Sequence, residues 1–395
     1  MTDPAPLVGG DGSGQQLREL TGDEREQALA LSVLAFGGER GGPVTPQPAG
    51  SRTWGVLEGD RLLATATWRS YAQWWGGRPV PMGGVAGVAV HPDGRGQGAA
   101  TRLVRVLLGQ LRGAGQPISV LFPTAPGIYR PLGWELVGRL DETVLPTAAL
   151  RTVRPSGAAR VRTAGLADVP TLTRLWHEHG RATDGALTRD GPSSPRGLEK
   201  LLAHDVVALA EQDGRATGYL AYDRGRGYGA AAELLVAELV AQDPAALSAL
   251  LASLASWDAV AGSVRWTGPL DEVALALGST LPTPGVGRPW MLRIADAPAA
   301  VAARGWRSSV RAQAAFTLVD PEVPDHEGPW LLTVQDGVGR LDRAPAGSPR
   351  LDVRGLALLY AGAGPGRLLR AGLLEAPVPG LDACAGPAPV LLDYF

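Results

Sequence analysis

Apolar positions along this chain switch between a helical and an alternating period, and the switches outline its elements. Thr21-Gly-Asp-Glu24 has the spacing of a capping box, and the apolar period after it predicts a helix to about Phe36, closed by Gly37-Gly38. Residues 54–57 and 62–67, separated by Glu58-Gly-Asp60, predict a hairpin. After a turn at Trp74-Trp75-Gly-Gly, an apolar run ends at Val90, and a loop with glycines at 94, 96 and 98 follows. Thr101 to Leu111 then returns to the helical period, and 118–122 and 135–140 read as strands.

The same order recurs downstream. Val161 opens a strand, Asp168-Val-Pro170 starts a helix through Trp176, 206–210 and 216–222 flank an Asp213-Gly214 turn, and 234–240 is a strand. A helix then runs from Asp243-Pro244 to Trp257, entered through Ala241-Gln-Asp-Pro-Ala, which has no glycine. Asp243 stands as N-cap and Pro244 as the first helical residue, and an acidic cap repels an anion. An internal duplication is expected in which only the first copy keeps an anion-binding loop. From about Asp296 the pattern changes: strands at 316–320, 330–334 and 351–353, a hairpin at Asp336-Gly337, and short helices at 354–360 and 368–374 predict a third, α+β unit. Residues 295–303 read as a helix or a linker. The expected domains are 1–150, 151–295 and 296–395.

A length of 395 residues agrees with several cores, and 45% hydrophobic with 19% charged residues fits globular units. No apolar run approaches the roughly 20 residues that span a bilayer, and Met1-Thr-Asp-Pro does not open a signal peptide. The expectation is a cytoplasmic protein with no membrane partner. A net charge of −2 gives no basic footprint for nucleic acid. Lys200 is the only lysine, so the many arginines reflect composition more than selected roles. The single Cys384 excludes an internal disulfide, the histidines at 91, 177, 179, 204 and 326 have no ligand spacing, and no metal is expected.

Glycines 94, 96 and 98 let successive N–H groups converge where a helix N-terminus also favours negative charge. The spacing Arg95-x-x-Gly98-x-Ala100 resembles the acyl-CoA pyrophosphate loop of the GNAT acetyltransferases. Backbone groups of Val88, Ala89 and Val90 can pair with pantetheine amides as an added strand would; a plain buried strand with a tight turn is the competing reading. Further on stands Thr124-Ala-Pro-Gly-Ile-Tyr129-Arg-Pro-Leu-Gly-Trp134. A phenol of pKa near 10 suits protonation of a thiolate, and a core aromatic is the alternative role for Tyr129.

The Gly loop, Gly-Ile-Tyr-x-x-x-Gly-Trp, a glycine-poor second copy, Leu351-Asp-Val-Arg-Gly-Leu-Ala-Leu-Leu-Tyr360 and a terminal Phe occur together here. In this set the chain resembles the Eis family (enhanced intracellular survival N-acetyltransferases) over essentially its whole length. The resemblance implies tandem GNAT-like domains, the second degenerate, followed by a sterol-carrier-protein-like α+β domain. Acetyl-CoA would be the cosubstrate, held by Val88, Ala89, Val90, Arg95, Gly96, Gln97, Gly98, Ala99, Ala100, Thr101, Thr124 and Ala125. Tyr129 would be the general acid and the α-carboxylate of Phe395 the general base.

It further implies a small-molecule amine acceptor of aminoglycoside or polyamine type, acetylated more than once, and a homohexamer. Residues 388–395 read as an apolar edge strand able to hold the terminus. Glu26, Glu39 and Asp393 are candidate carboxylates for a cationic amine, although solvated surface charge is the more ordinary role of each. Pro126 and the 41–50 loop are departures that bear on the acceptor. Two rival functions are a non-catalytic acyl-CoA sensor or scaffold and a lipid carrier acting through the third domain.

Overall fold

The computed structural model describes residues 9–10, 14–37, 47–277, 282–345 and 349–395. The first of three sheets holds β1 (Gly9–Gly10), β2 (Gln15–Glu19), β3 (Ser51–Glu58), β4 (Arg61–Trp75), β5 (Arg78–Val90), β6 (Ile118–Leu121), β7 (Glu135–Leu140) and, from far downstream, β15 (Arg288–Ile294). The second holds β8 (Glu142–Pro146), β9 (Arg160–Thr163), β10 (Val206–Gln212), β11 (Arg215–Arg224), β12 (Gly229–Ala241), β13 (Ala261–Thr267) and β14 (Thr283–Pro284). The third holds β16 (Ala312–Val319), β17 (Gly328–Gln335), β18 (Val338–Arg343) and β19 (Arg350–Asp352). Helices α1 (Glu24–Phe36), α2 (Ala99–Gly113) and α3 (Pro126–Tyr129) belong to the first stretch, α4 (Val169–Arg181), α5 (Pro244–Ala255) and α6 (Asp271–Leu277) to the second, and α7 (Ala297–Ala303), α8 (Val353–Tyr360) and α9 (Pro365–Arg370) to the third.

Local chemistry accounts for the main elements. The Glu24 carboxylate accepts from the Thr21 N–H at 3.0 Å, making one arm of the capping box, and α1 closes at Gly37 with φ +82°. Along α2, Leu103, Val104, Leu107, Leu108 and Leu111 form one buried face. Each such side chain contributes about 1.5–3 kcal/mol on burial, far more than intrinsic helix propensity. The duplication is visible in the pairing. In each copy two antiparallel strands lead to a third, a helix, and a strand parallel to that third: β5 with β6, and β12 with β13.

The sheets do not break at residues 150 and 295. Strand order is β1-β2-β3-β4-β5-β6-β15-β7 in the first and β14-β8-β13-β12-β11-β10-β9 in the second. Thus β15 lies between β6 and β7, antiparallel to both, while β8 pairs with β13. Each sheet takes a strand from the other's stretch of sequence. Apolar character gave β15 its place in an interior, with Trp290, Met291, Leu292 and Ile294 at 0% exposure, but it carries no information on which sheet that is.

The third unit shares a core with the first sheet. Met82, Val120, Trp290 and Leu292 belong to one buried cluster with Phe316, Leu332 and Leu356. A buried charge cluster crosses the same junction. Arg293 donates to Asp320 at 2.7 and 2.8 Å, and His326 Nδ1 lies 2.7 Å from Asp320 while its Nε2 accepts from the Ala297 N–H at 3.0 Å. Within 295–303, read as a helix or a linker, Ala297–Ala303 forms α7, capped by Asp296 through the Ala299 N–H at 3.0 Å.

Two expectations fail here. The helix expected at 368–374 is α9, which ends at Arg370; Gly372 takes φ +69°, and Leu374 bridges back to Leu351. The 388–395 tail is no strand. Pro387 and Pro389 cannot donate to a ladder, and the Val390 N–H goes instead to the Asp184 carbonyl at 2.7 Å.

Candidate active site

The first sheet splits at Gly84. β5 and β6 pair from Met82↔Ile118 to Gly84↔Val120 and then part, while β5 stays on β4 as far as Ala64↔Val90. A bulge helps to turn the strand: Gly87 takes φ +60° where the β4 register slips between Thr65 and Thr67. Past the split, the β5 edge facing β6 has no strand partner among the described residues, and this edge includes Val88, Ala89 and Val90. Ala89 is buried, and the flanking valines are half-buried. An extended amide-bearing chain can pair with such an edge as an additional strand.

The loop after Val90 leads directly to α2. Gly96 and Gly98 take φ +76° and +72°, and a Cβ added at either meets nothing within 4 Å. Arg95, Gly96, Gln97 and Gly98 are exposed, Ala99 and Ala100 are buried, and Thr101 is half-buried. Gln97 is tied down, donating to the Asp93 carbonyl at 2.9 Å and accepting from Gln15 at 3.1 Å. No side chain caps α2, and no acidic residue stands in its first turn, so its leading N–H groups remain available to an anion. In the second copy the Asp243 carboxylate accepts from the Ala246 N–H at 2.8 Å, and Pro244 occupies the first position. That terminus is closed by its own carboxylate.

Beyond β6, Thr124 and Ala125 are exposed, and α3 carries Tyr129, which is 5% exposed and shares a core cluster with Leu121, Leu132 and Trp134. Burial pushes the Tyr129 phenol up to about 12. Its hydroxyl has no hydrogen-bond partner among the described residues.

The chain terminus reaches this split. A Cβ on Gly84 would stand 2.6 Å from the Phe395 ring, which lies 5.0 Å from the Tyr71 ring and 5.8 Å from Phe122. Tyr394 is largely exposed yet stacks 4.8 Å from Phe122 and under Arg288. Leu391 is fully buried in the shared core of the first and third units. Asp393, expected as solvated surface charge, is 8% exposed and takes hydrogen bonds from Arg189 Nε at 2.9 and 3.0 Å and from Lys200 Nζ at 2.6 Å. Burial alone pushes its carboxyl up, but the Arg189 and Lys200 charges outweigh that and hold it below the usual carboxylate value.

Arg189 is fixed from every side. Its other two nitrogens donate to Glu238, its guanidinium lies 3.6 Å over the Trp176 ring, and Tyr219 also donates to Glu238. Its backbone takes φ +61°, an uncommon conformation for a residue with a Cβ. Sequence reasoning missed Arg189, Arg69, Tyr71 and Gly84. Arg189 stands 204 positions from its partner Asp393, so no local spacing could flag it. Of the other proposed carboxylates, Glu26 is exposed on α1. Glu39 and residues 41–46 lie outside the described residues. Among the described residues, no three His, Cys, Asp or Glu side chains are grouped to hold a metal, and no helix is long and apolar enough to cross a membrane.

Comparison with known proteins agrees with this architecture. Residues 16–137 and 173–294 match acetyltransferase (GNAT) domain families, and 297–390 match a sterol carrier protein domain. An uncharacterized N-acetyltransferase of Streptomyces avermitilis is 28% identical over 306 residues, 73% of each chain. Eis1 from Mycobacterium abscessus shares the fold, with TM-score 0.74 at 22% identity, over 96% of this chain and 100% of that one. A GCN5-related N-acetyltransferase from Kribbella flavida superposes with TM-score 0.84 at 33% identity, covering 98% of this chain and 100% of its own. At that identity over nearly the full length, the chain belongs to the GCN5-related N-acetyltransferase (GNAT) family, an acetyltransferase with two GNAT domains and a sterol-carrier domain in the Eis-like arrangement.

Proposed function

We propose that this acetyltransferase moves the acetyl group of acetyl-CoA to a primary amine at the split of the first sheet, with Tyr129 as general acid and the Phe395 carboxylate as general base. The seating of Phe395 on Gly84, where β5 leaves β6, is the observation that carries this reading. The pantetheine arm pairs with Val88, Ala89 and Val90. The pyrophosphate lies against the N–H groups from Gly96 to Thr101, with Arg95 and Gln97 on the loop and Thr124 and Ala125 across the cleft. Only the first copy serves, because Asp243 occupies the corresponding helix end in the second.

The amine nitrogen attacks the thioester carbonyl, and a backbone N–H on the open β5 edge stabilises the oxyanion. As the C–N bond forms the nitrogen turns acidic, so a carboxylate of ordinary strength suffices to take its proton. The C–S bond then breaks, and the sulfur takes a proton from Tyr129. Burial keeps that phenol in its acid form throughout the neutral range.

Removing Phe395, or extending the chain past it, tests the assignment. Acetyl transfer, followed by thiol release, is expected to vanish while CoA binding by calorimetry persists. Full turnover in the shortened chain rejects the terminal base. Loss of CoA binding as well would show a general collapse of the site. The same proposal carries a homohexamer, read by light scattering against the 41.0 kDa chain.

A further inference from the structure

All three units border a cavity of about 240 Å³ at the terminal residue. β4 supplies Arg69 and Tyr71, the second unit supplies Ser193, Arg196 and Lys200, and the tail supplies Asp393 and Phe395. An acceptor amine that reaches the Phe395 carboxylate must have its remaining atoms in or beside this space.

The charges there are arranged for a dipolar guest. Asp393 is already shared between Arg189 and Lys200, so its charge is spent inside the protein. Among the described lining residues, that leaves the Phe395 carboxylate as the one anion open to a ligand. Arg69 is the opposite case. It lies directly across the ladder from Gly84, the residue under the Phe395 ring. It faces the Tyr71 hydroxyl, its Nε is closed to solvent without a hydrogen-bond partner, and no described carboxylate pairs with it. A half-buried guanidinium without an anion is costly, and the cost falls when a ligand supplies one. Arg196 and Lys200 stand on the same wall but already carry ion pairs, to Glu199 at 3.7 Å and to Asp393 at 2.6 Å, so among the described lining residues the open positive charge is that of Arg69. The second ammonium of a polyamine, or the several of an aminoglycoside, would meet like charge here.

Building on the assignment of Phe395 as base, we infer that the acceptor is a compact primary amine that also carries a carboxylate, an amino acid or short peptide, with Arg69 as the carboxylate anchor. The amine end lies at Phe395, and the anionic end lies at Arg69. This replaces the polycationic acceptor that the family resemblance implied.

The test sets 4-aminobutyrate, 6-aminohexanoate and glycylglycine against putrescine, spermidine and an aminoglycoside, with saturating acetyl-CoA and thiol release as readout. At least one carboxylate-bearing amine is expected to exceed the diamine of similar length tenfold in kcat/KM. Arg69→Gln raises the KM for that amine about tenfold more than it lowers kcat, and Arg69→Lys, which keeps the charge, restores part of the difference. A preference for putrescine, spermidine or the aminoglycoside overturns the inference, as does a KM indifferent to Arg69→Gln. Calorimetric binding of 4-acetamidobutyrate to the CoA-bound full-length enzyme separates the acceptor assignment from the proposed chemistry. Binding that Arg69→Gln abolishes supports the anchor even when no amine in the panel is acetylated, an outcome that would count against the catalytic roles alone. Equal binding by both proteins, or none by either, rejects the anchor.

Discussion

The attachment of the C-terminal tail gives a prediction whose size follows from the contacts. Asp393→Asn keeps the shape of the side chain and removes its charge. Arg189 keeps both bonds to Glu238, so its guanidinium is not orphaned, and an amide oxygen can still accept from Nε. What is lost is the difference between a charge-assisted and a neutral hydrogen bond at Arg189, about 1–1.5 kcal/mol, plus a smaller contribution from Lys200, whose side chain is 46% exposed. A total of about 2 kcal/mol shifts the ratio of docked to released tail roughly thirtyfold. Carboxypeptidase A removes a C-terminal aromatic residue only from a free end, so under limiting protease the release of Phe395 tracks the open population. That release is expected to speed up about thirtyfold in the variant, and loss of acetyl transfer should follow the same time course. Unchanged Phe395 release would refute the clamp, and activity that outlasts Phe395 would refute the terminal base. The pH dependence has a definite sign. Because the folded Asp393 carboxyl lies below its usual value, the clamp is complete above about pH 4 and weakens as pH falls through that lowered value, leaving the neutral range flat.

Other expectations concern the donor site and the junction with the third unit. Tyr129→Phe should lower kcat about a hundredfold, the small end for general-acid catalysis, because a phenol held near 12 is a far weaker acid than the thiol formed when it protonates the departing thiolate; an unchanged rate returns Tyr129 to a packing role. With Tyr129 that high, kcat should show no alkaline loss from this group below about pH 10, and a fall centred near 9 would contradict its assigned state. Gly98→Asp gives the first copy the acidic cap of the second, at a backbone position Asp tolerates; the KM for acetyl-CoA should rise at least tenfold, and an unchanged KM would move the pyrophosphate elsewhere. Asp320→Ala leaves Arg293 and His326 buried without their shared partner and should cost about 3–5 kcal/mol, seen as a Tm lower by roughly 10 °C in calorimetry. A shift within 2 °C would show that this cluster is not coupled to unfolding.

The backbone of the proposed donor side was largely legible because it is local. The strand ending at Val90, the glycines at 96 and 98 and the α2 helix are consecutive, and their roles depend on backbone conformation that residue type largely dictates. The contrast with Asp243 was readable for the same reason, since a cap acts within one turn of its own helix. The cavity proposed for the acceptor was hidden because it is assembled from distant segments. Arg69 reads as one arginine among many on an alternating strand, and only the pairing with Gly84 and the arrival of the tail give it a neighbourhood. Asp393 was misjudged on the default that carboxylates near a terminus face water, which buried Arg189 overrides. No strand is expected from sequence at 142–146 or 288–294, and boundaries drawn at 150 and 295 separate each segment from the sheet it joins, because hydrophobicity along the chain does not name a strand's neighbours.

The reciprocal placement of β8 and β15 also sets the order of assembly during synthesis. The first sheet lacks the strand between β6 and β7 until residue 294 has left the ribosome, more than 150 residues after β7 is made. Until then β6 and β7 present unsatisfied, apolar edges, and the nascent chain depends on long-range pairing to close them. A truncated protein ending near residue 150 is therefore expected to aggregate, and the first GNAT sheet of this enzyme is complete only once the second copy has been made.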